Sequence, residues 1–100
     1  MNLVAVTACP TGIAHTYMAA EQLERAARKL GHDIHVETQG AMGVENALTE
    51  EDLRAAGAVI LAVDIAVQDM DRFQGMRLIE VSVQEAIRNP EAVIARAVQG

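Results

Sequence analysis

Cys9 is the one cysteine in 100 residues, and its neighbours decide what a thiol there can do. It follows the apolar run Leu3-Val4-Ala5-Val6-Thr7-Ala8 and opens the segment Cys9-Pro10-Thr11-Gly12-Ile13-Ala14-His15-Thr16. The run reads as a buried parallel strand, and the stretch from about Ala14 to Leu30 reads as an amphipathic helix. A thiol in the turn between them lies at the positive end of that helix. There the dipole and the backbone N–H groups of the first turn favour a thiolate and any anion it carries. Gly12 and Ala14 leave room for a group the size of a phosphate. The arrangement is a nucleophile on an anion cradle.

Three kinds of chemistry use such a turn. A phosphatase of the low-molecular-weight tyrosine type needs Cys-x5-Arg, because the guanidinium grips phosphate through two bonds and stabilises the charge in transfer. Counting from Cys9, that position holds His15, the segment has no Arg or Lys, and the next basic residue is Arg25. Hydrolysis also needs an acid for the leaving oxygen; Asp64, Asp69 and Asp71 are on offer, but no Asp-Pro pair occurs. A redox role wants a second thiol at Cys-x-x-Cys spacing, which is absent. A phosphoryl carrier must accept phosphate on the thiolate, hold it against water and pass it on. It needs backbone N–H donors, a hydroxyl or two, and no strong clamp. The segment from Pro10 through Thr11, Gly12, Ile13, Ala14 and His15 to Thr16 fits that need. Thr11 and Thr16 are its candidate hydroxyls, and His15 is a donor tunable near neutral pH. A regulatory binding module, with Cys9 as an inert core thiol, is the other class.

The elements must place this turn. Strand and helix signals alternate, which points to a parallel sheet covered by helices. The first helix carries Tyr17, Ala20, Leu23, Ala27 and Leu30 on one stripe, with Glu21/Arg25 and Glu24/Arg28 as i,i+4 pairs and Gly31 as C-cap. From Asp33 to Gln39 the pattern alternates, so Glu37 and Gln39 are expected on the solvated face of a half-covered edge strand. Gly40 to Gly43 reads as a flexible loop. Thr49 and Asp52 form a capping box, with Leu48 and Leu53 as a hydrophobic staple. Ala58 to Val63 is apolar on both faces and should be a central strand. A loop from Asp64 to Gly75 follows, with one helical turn expected around Asp69 to Phe73. Arg77 to Val81 is the fourth strand; Ser82 and Glu85 cap the next helix, and Asn89-Pro90 divides it from the last. The expected fold is α/β: a four-stranded parallel open sheet, order 2-1-3-4, with helices on both faces and the phosphate-binding loop after strand 1. Its switch point lies beside Cys9 and Asp64, where open sheets of this kind bind ligands. Asp64 is either a loop-starting carboxylate or a residue that orients the site. Met42, Met70, Phe73 and Met76 either fill the core or offer an adaptable partner surface.

Composition narrows the classes further. Residues 1–100 make one domain, with a core of Val, Ile, Leu, Ala and Met, since Tyr17 and Phe73 are the only aromatics. A net charge of −6 argues against nucleic acid, which calls for a basic footprint. One cysteine excludes an internal disulfide, and with no signal peptide a reducing cytosol is expected. The apolar stretch from Ala58 to Val63 is too short for direct membrane insertion. His32 and His35 lack partners at metal-ligand spacing and are expected at the surface.

The segment Val4-Ala5-Val6-Thr7-Ala8-Cys9-Pro10-Thr11-Gly12-Ile13-Ala14-His15-Thr16-Tyr17-Met18-Ala19-Ala20-Glu21 resembles the signature of a known family. This is the fructose-type enzyme IIB of the bacterial phosphoenolpyruvate-dependent sugar phosphotransferase system. The resemblance continues through Val36 to Gly40, Asn46 to Thr49, Ala62 to Val67 and Asp71-Arg72-Phe73. It implies that Cys9 takes a phosphoryl group from a histidine of enzyme IIA and gives it to a sugar bound by the membrane-embedded enzyme IIC. Fructose is the default sugar, with mannose or a related sugar the alternative. It also implies a four-stranded parallel sheet, no metal or organic cofactor, and a place in the cytoplasm or, through enzyme IIC, at the cytoplasmic face of the inner membrane. Members occur as separate chains and fused to IIA and IIC.

Overall fold

The computed structural model describes residues 1–10 and 14–99. Strands and helices alternate along them: β1 (Asn2–Ala8), α1 (Ala14–Lys29), β2 (Asp33–Gly40), β3 (Gly43–Glu45), α2 (Glu50–Ala55) and β4 (Ala58–Val63). A 3-10 turn (Met70–Phe73), β5 (Leu78–Val81), α3 (Val83–Arg88) and α4 (Pro90–Val98) complete the described part. Parallel strands need long crossovers, and the helices supply them.

Sheet order is β3-β2-β1-β4-β5. β1 lies between β2 and β4, parallel to both, and β5 runs parallel on the far side of β4. The expected count of four and the all-parallel sheet are corrected by β3, which pairs antiparallel with β2 as Thr38↔Glu45, Gln39↔Val44 and Gly40↔Gly43. What reads as a flexible loop from Gly40 to Gly43 is the turn of a tight hairpin. Gly43, at φ 86, takes the left-handed position such a turn needs, where a Cβ would be strained. β2 is therefore not an edge strand.

Both faces of the sheet are covered. On one, Leu3, Ala5, Ile60 and Ala62 pack under α1, α3 and α4 through Leu23, Ala27, Val93 and Ile94. On the other, Val4, Val6, Val59 and Leu61 pack against Phe73, with Leu48, Leu53 and Met76 at the margin. Helix α1 buries Leu23 together with Ala19, Ala20, Ala26 and Ala27, four small residues that let it lie close on the sheet. The ends of the expected stripe, Tyr17 and Leu30, are exposed instead, and Leu30 lies one residue beyond the helix. A Schellman motif closes α1: the His32 N–H donates to Ala27 O at 2.8 Å and that of Gly31, at φ 82, to Arg28 O at 3.1 Å. At α2 both halves of the capping box form: the Asp52 N–H donates to Thr49 Oγ1 at 3.1 Å, and the Thr49 N–H to Asp52 Oδ2 at 2.8 Å.

Candidate functional site

β1 and β4 end side by side, with Ala8 opposite Val63 and the Asp64 N–H donating to Ala8 O at 2.9 Å. From β1 the chain crosses over to β2 on one side; β4 lies on the other. Cys9 therefore emerges at the carboxyl end of the sheet, at its switch point. It is 7% exposed and belongs to the same buried core as Ala19 and Ala20 of α1. Helix α1 begins five residues later, with no acidic residue in its first turn. By contrast α2, α3 and α4 each carry at least one. The positive end of the α1 dipole is thus not offset by a carboxylate of its own first turn, and an external anion is favoured there. Thr7 Oγ1 donates to Thr16 O at 3.1 Å inside the core, tying the first turn of α1 to the strand that presents the thiol.

Four of the expected site residues, Cys9, Pro10, His15 and Asp64, line two different clefts. Cys9 and exposed Pro10 line one of about 180 Å³, closed by Gln39, Gly40 and Ala41 from the β2 hairpin and by Ile65, Ala66 and Gln68 after β4. His15 and Asp64 line a second of about 390 Å³, with Met18, Val83 and Arg88. Ala14 and His15 are exposed, whereas Thr16 is fully buried and its hydroxyl has no hydrogen-bond partner among the described residues. Thr11, Gly12 and Ile13 lie outside the described residues. Asp64 has a structural task in view: its Oδ1 accepts from the Val83 N–H, at the start of α3, at 3.2 Å.

The solvated face expected for β2 is corrected. Glu37 and Gln39 are 1% and 4% exposed, because the 3-10 turn and the chain before it fold over them. Arg72 Nη1 and Nη2 donate to Glu37 Oε1 and Oε2, each at 2.7 Å. The Leu48 N–H and Gln39 Nε2 also donate to that carboxylate, at 2.9 and 2.8 Å. Burial pushes the Glu37 carboxyl up, but the bonds from Arg72, Gln39 and Leu48 outweigh it and hold it below the usual carboxylate range. His35 is also not a plain surface residue. It is half-buried, with Nδ1 2.9 Å from Asp52 Oδ2 and Nε2 3.0 Å from Asn46 O. Phe73 and Met76 join the core, while Met42 and Met70 are exposed. Tyr17, near the start of α1, donates to the Glu45 carboxylate of β3, and that bond pushes its phenol up.

Comparison with known proteins agrees with this geometry. Residues 4–96 match the family model described as PTS system, lactose/cellobiose specific IIB subunit. The fructose-like EIIB component 2 of Escherichia coli strain K12 is 47% identical over 95 residues, which are 95% of this chain and 90% of that protein. The 2-O-alpha-mannosyl-D-glycerate-specific EIIABC component of the same strain is 52% identical over 96% of this chain, which spans only 15% of that relative's length. A crystallised domain of the fructose-specific IIABC component of Borrelia burgdorferi superposes with a TM-score of 0.91 at 53% identity, covering 96% of this chain and 91% of that one. By its strand order, its cysteine turn and these matches, the chain belongs to the fructose-type enzyme IIB family of the sugar phosphotransferase system.

Proposed function

We propose that this chain relays a phosphoryl group on Cys9 between a phosphohistidine of an enzyme IIA and a sugar bound by a membrane enzyme IIC. The observation that carries the reading is Cys9 itself: a shielded thiol at the sheet's switch point, beside a helix whose first turn holds no carboxylate. In the first step the Cys9 thiolate attacks phosphorus. The S–P bond forms, the N–P bond breaks and the imidazole nitrogen leaves with the electron pair. In the second, a sugar hydroxyl oxygen attacks the same phosphorus, the thiolate leaves and the hydroxyl proton passes to a base. The loop that Pro10 opens holds the phosphate oxygens through its amides from Thr11 to Thr16 and the Thr11, His15 and Thr16 side chains, and Asp64 orients the site through the start of α3. Exposed Met18, Met42 and Ile65 at this end of the sheet suit an adaptable protein contact.

The names of the relatives support fructose as the sugar, with a mannose-like or related sugar the alternative, since one is specific for a mannosyl glycerate. Among the described residues no helix is long and apolar enough to cross a membrane. We place the domain in the cytoplasm, meeting the membrane through enzyme IIC, as one unit over residues 1–100. The test is reconstitution with phosphoenolpyruvate, enzyme I, the histidine carrier protein and a fructose-type IIA. The chain should gain one phosphoryl group by intact mass, and Cys9→Ser should gain none, because a hydroxyl at its ordinary pKa is a far poorer nucleophile than a thiolate. Labelling of the serine variant at the parent's rate would refute the assignment.

A further inference from the structure

Gln39 lines the cleft beside Cys9, while Glu37 and Arg72 stand behind it, outside the described lining, and the burial of that pair is costly. Taking an ion pair out of water is often no better for stability than an apolar replacement of the same size. Here the pair even leaves Arg72 Nε buried without a hydrogen-bond partner among the described residues. Stability alone therefore gives no reason for it. What the pair does is orient an amide. Gln39 Nε2 must face the Glu37 carboxylate, at 2.8 Å, because a flipped amide would set oxygen against oxygen. That leaves Gln39 Oε1 turned outward, where it accepts the Gln68 N–H at 2.9 Å from 29 residues away. Gln68, Ile65 and Ala66 form the wall of the cleft that faces Cys9.

We infer that Gln39, oriented by the Glu37–Arg72 pair, is a positioning residue that fixes the 65–68 segment as the wall against which phosphoryl transfer at Cys9 takes place. Its effect on transfer rests on the relay reading above; its hold on the wall does not. Gln39→Met keeps the volume and removes both the donor and the acceptor. In the 100-residue chain this variant should speed hydrogen exchange at the Gln68 amide about tenfold while leaving that of Ile60 in β4 unchanged. It should also change the rate constant for alkylation of Cys9 by iodoacetamide. Single-turnover transfer from phosphorylated IIA should slow by about tenfold, the factor expected from about 1.4 kcal/mol of lost positioning. A merely destabilised variant would show a lower amplitude, since fewer molecules are folded, but an unchanged rate constant. Arg72→Lys, which keeps the charge but not the paired bonds, should fall between parent and Gln39→Met.

Unchanged Gln68 exchange in Gln39→Met overturns the hold on the wall. Faster exchange with a single-turnover rate constant and alkylation rate within twofold of the parent overturns the role at Cys9. Were the parent itself to accept no phosphoryl group, the relay reading would fall, and exchange and alkylation would still decide whether Gln39 positions the wall.

Discussion

Glu37 is the most deeply buried carboxylate whose pKa the fold shifts, and it ties stability to pH. Its folded pKa lies below the ordinary value of 4.5, set by Arg72, Gln39 and Leu48 against burial. A carboxyl of that kind contributes stability fully above its unfolded pKa, and the contribution is lost as pH falls through the lower folded value. Glu37→Gln cannot ionise and leaves Arg72, whose side chain is 15% exposed, without its counter-charge. At pH 7 it should cost about 3 kcal/mol, read as a lower urea midpoint. The gap between parent and variant should narrow below the ordinary carboxylate value. A gap that stays constant down to pH 3 would show that protonation of Glu37 does not contribute to the acid sensitivity of the fold. At this scale the sequence is legible where a residue acts alone. Cys9 stands out because it is unique, follows an apolar run and precedes a turn. Glu37 looks like the solvent face of an alternating strand because Arg72, which buries it, lies 35 residues on.

Short elements show how local chemistry and long-range packing share the work. Helix α2 has six residues and none fully buried, so its ends must hold it. Thr49 and Asp52 do so reciprocally, and the preceding Leu48 N–H is bonded to Glu37. Thr49→Ala should cost about 1 kcal/mol, the usual worth of an N-cap hydroxyl. In a domain of this size that lowers Tm by about 5 °C, measurable by calorimetry. An unchanged Tm would mean that packing of Leu53, not the cap, sets the helix. The capping box, Gly31 and Asn89-Pro90 can all be read from adjacent residues, because caps and breaks depend on near neighbours. β3 cannot. Its three residues are all exposed and show no burial pattern, so only pairing with β2 defines it. That pairing is what makes β2 an interior strand.

For the whole molecule, the two strands apolar on both faces, β1 and β4, are central, and that pattern is enough to put the switch point beside Cys9. The same architecture serves hydrolases and carriers, so the choice between them rests on charge at the site. A hydrolytic cysteine loop sets an arginine at position 15, where this chain has an exposed histidine. The cleft around Cys9 has no Arg or Lys among its described lining, and Arg72, linked to it through Gln39, already has its charge matched by Glu37. Without a guanidinium clamp the site lacks the strongest stabiliser of an attacking water's transition state. The phosphoryl group should then stay close in free energy to its donor and its acceptor, as a relay requires, with partner proteins supplying the missing stabilisation at each transfer. The expected outcome is a phosphorylated domain that decays slowly alone and rapidly with IIC-containing membranes and sugar, while free aryl phosphates are hardly turned over. The comparison is between two first-order decay rates of the same labelled protein. If the isolated domain loses phosphate to water as fast as the complete system delivers it to sugar, the chain is a phosphatase on a carrier's fold.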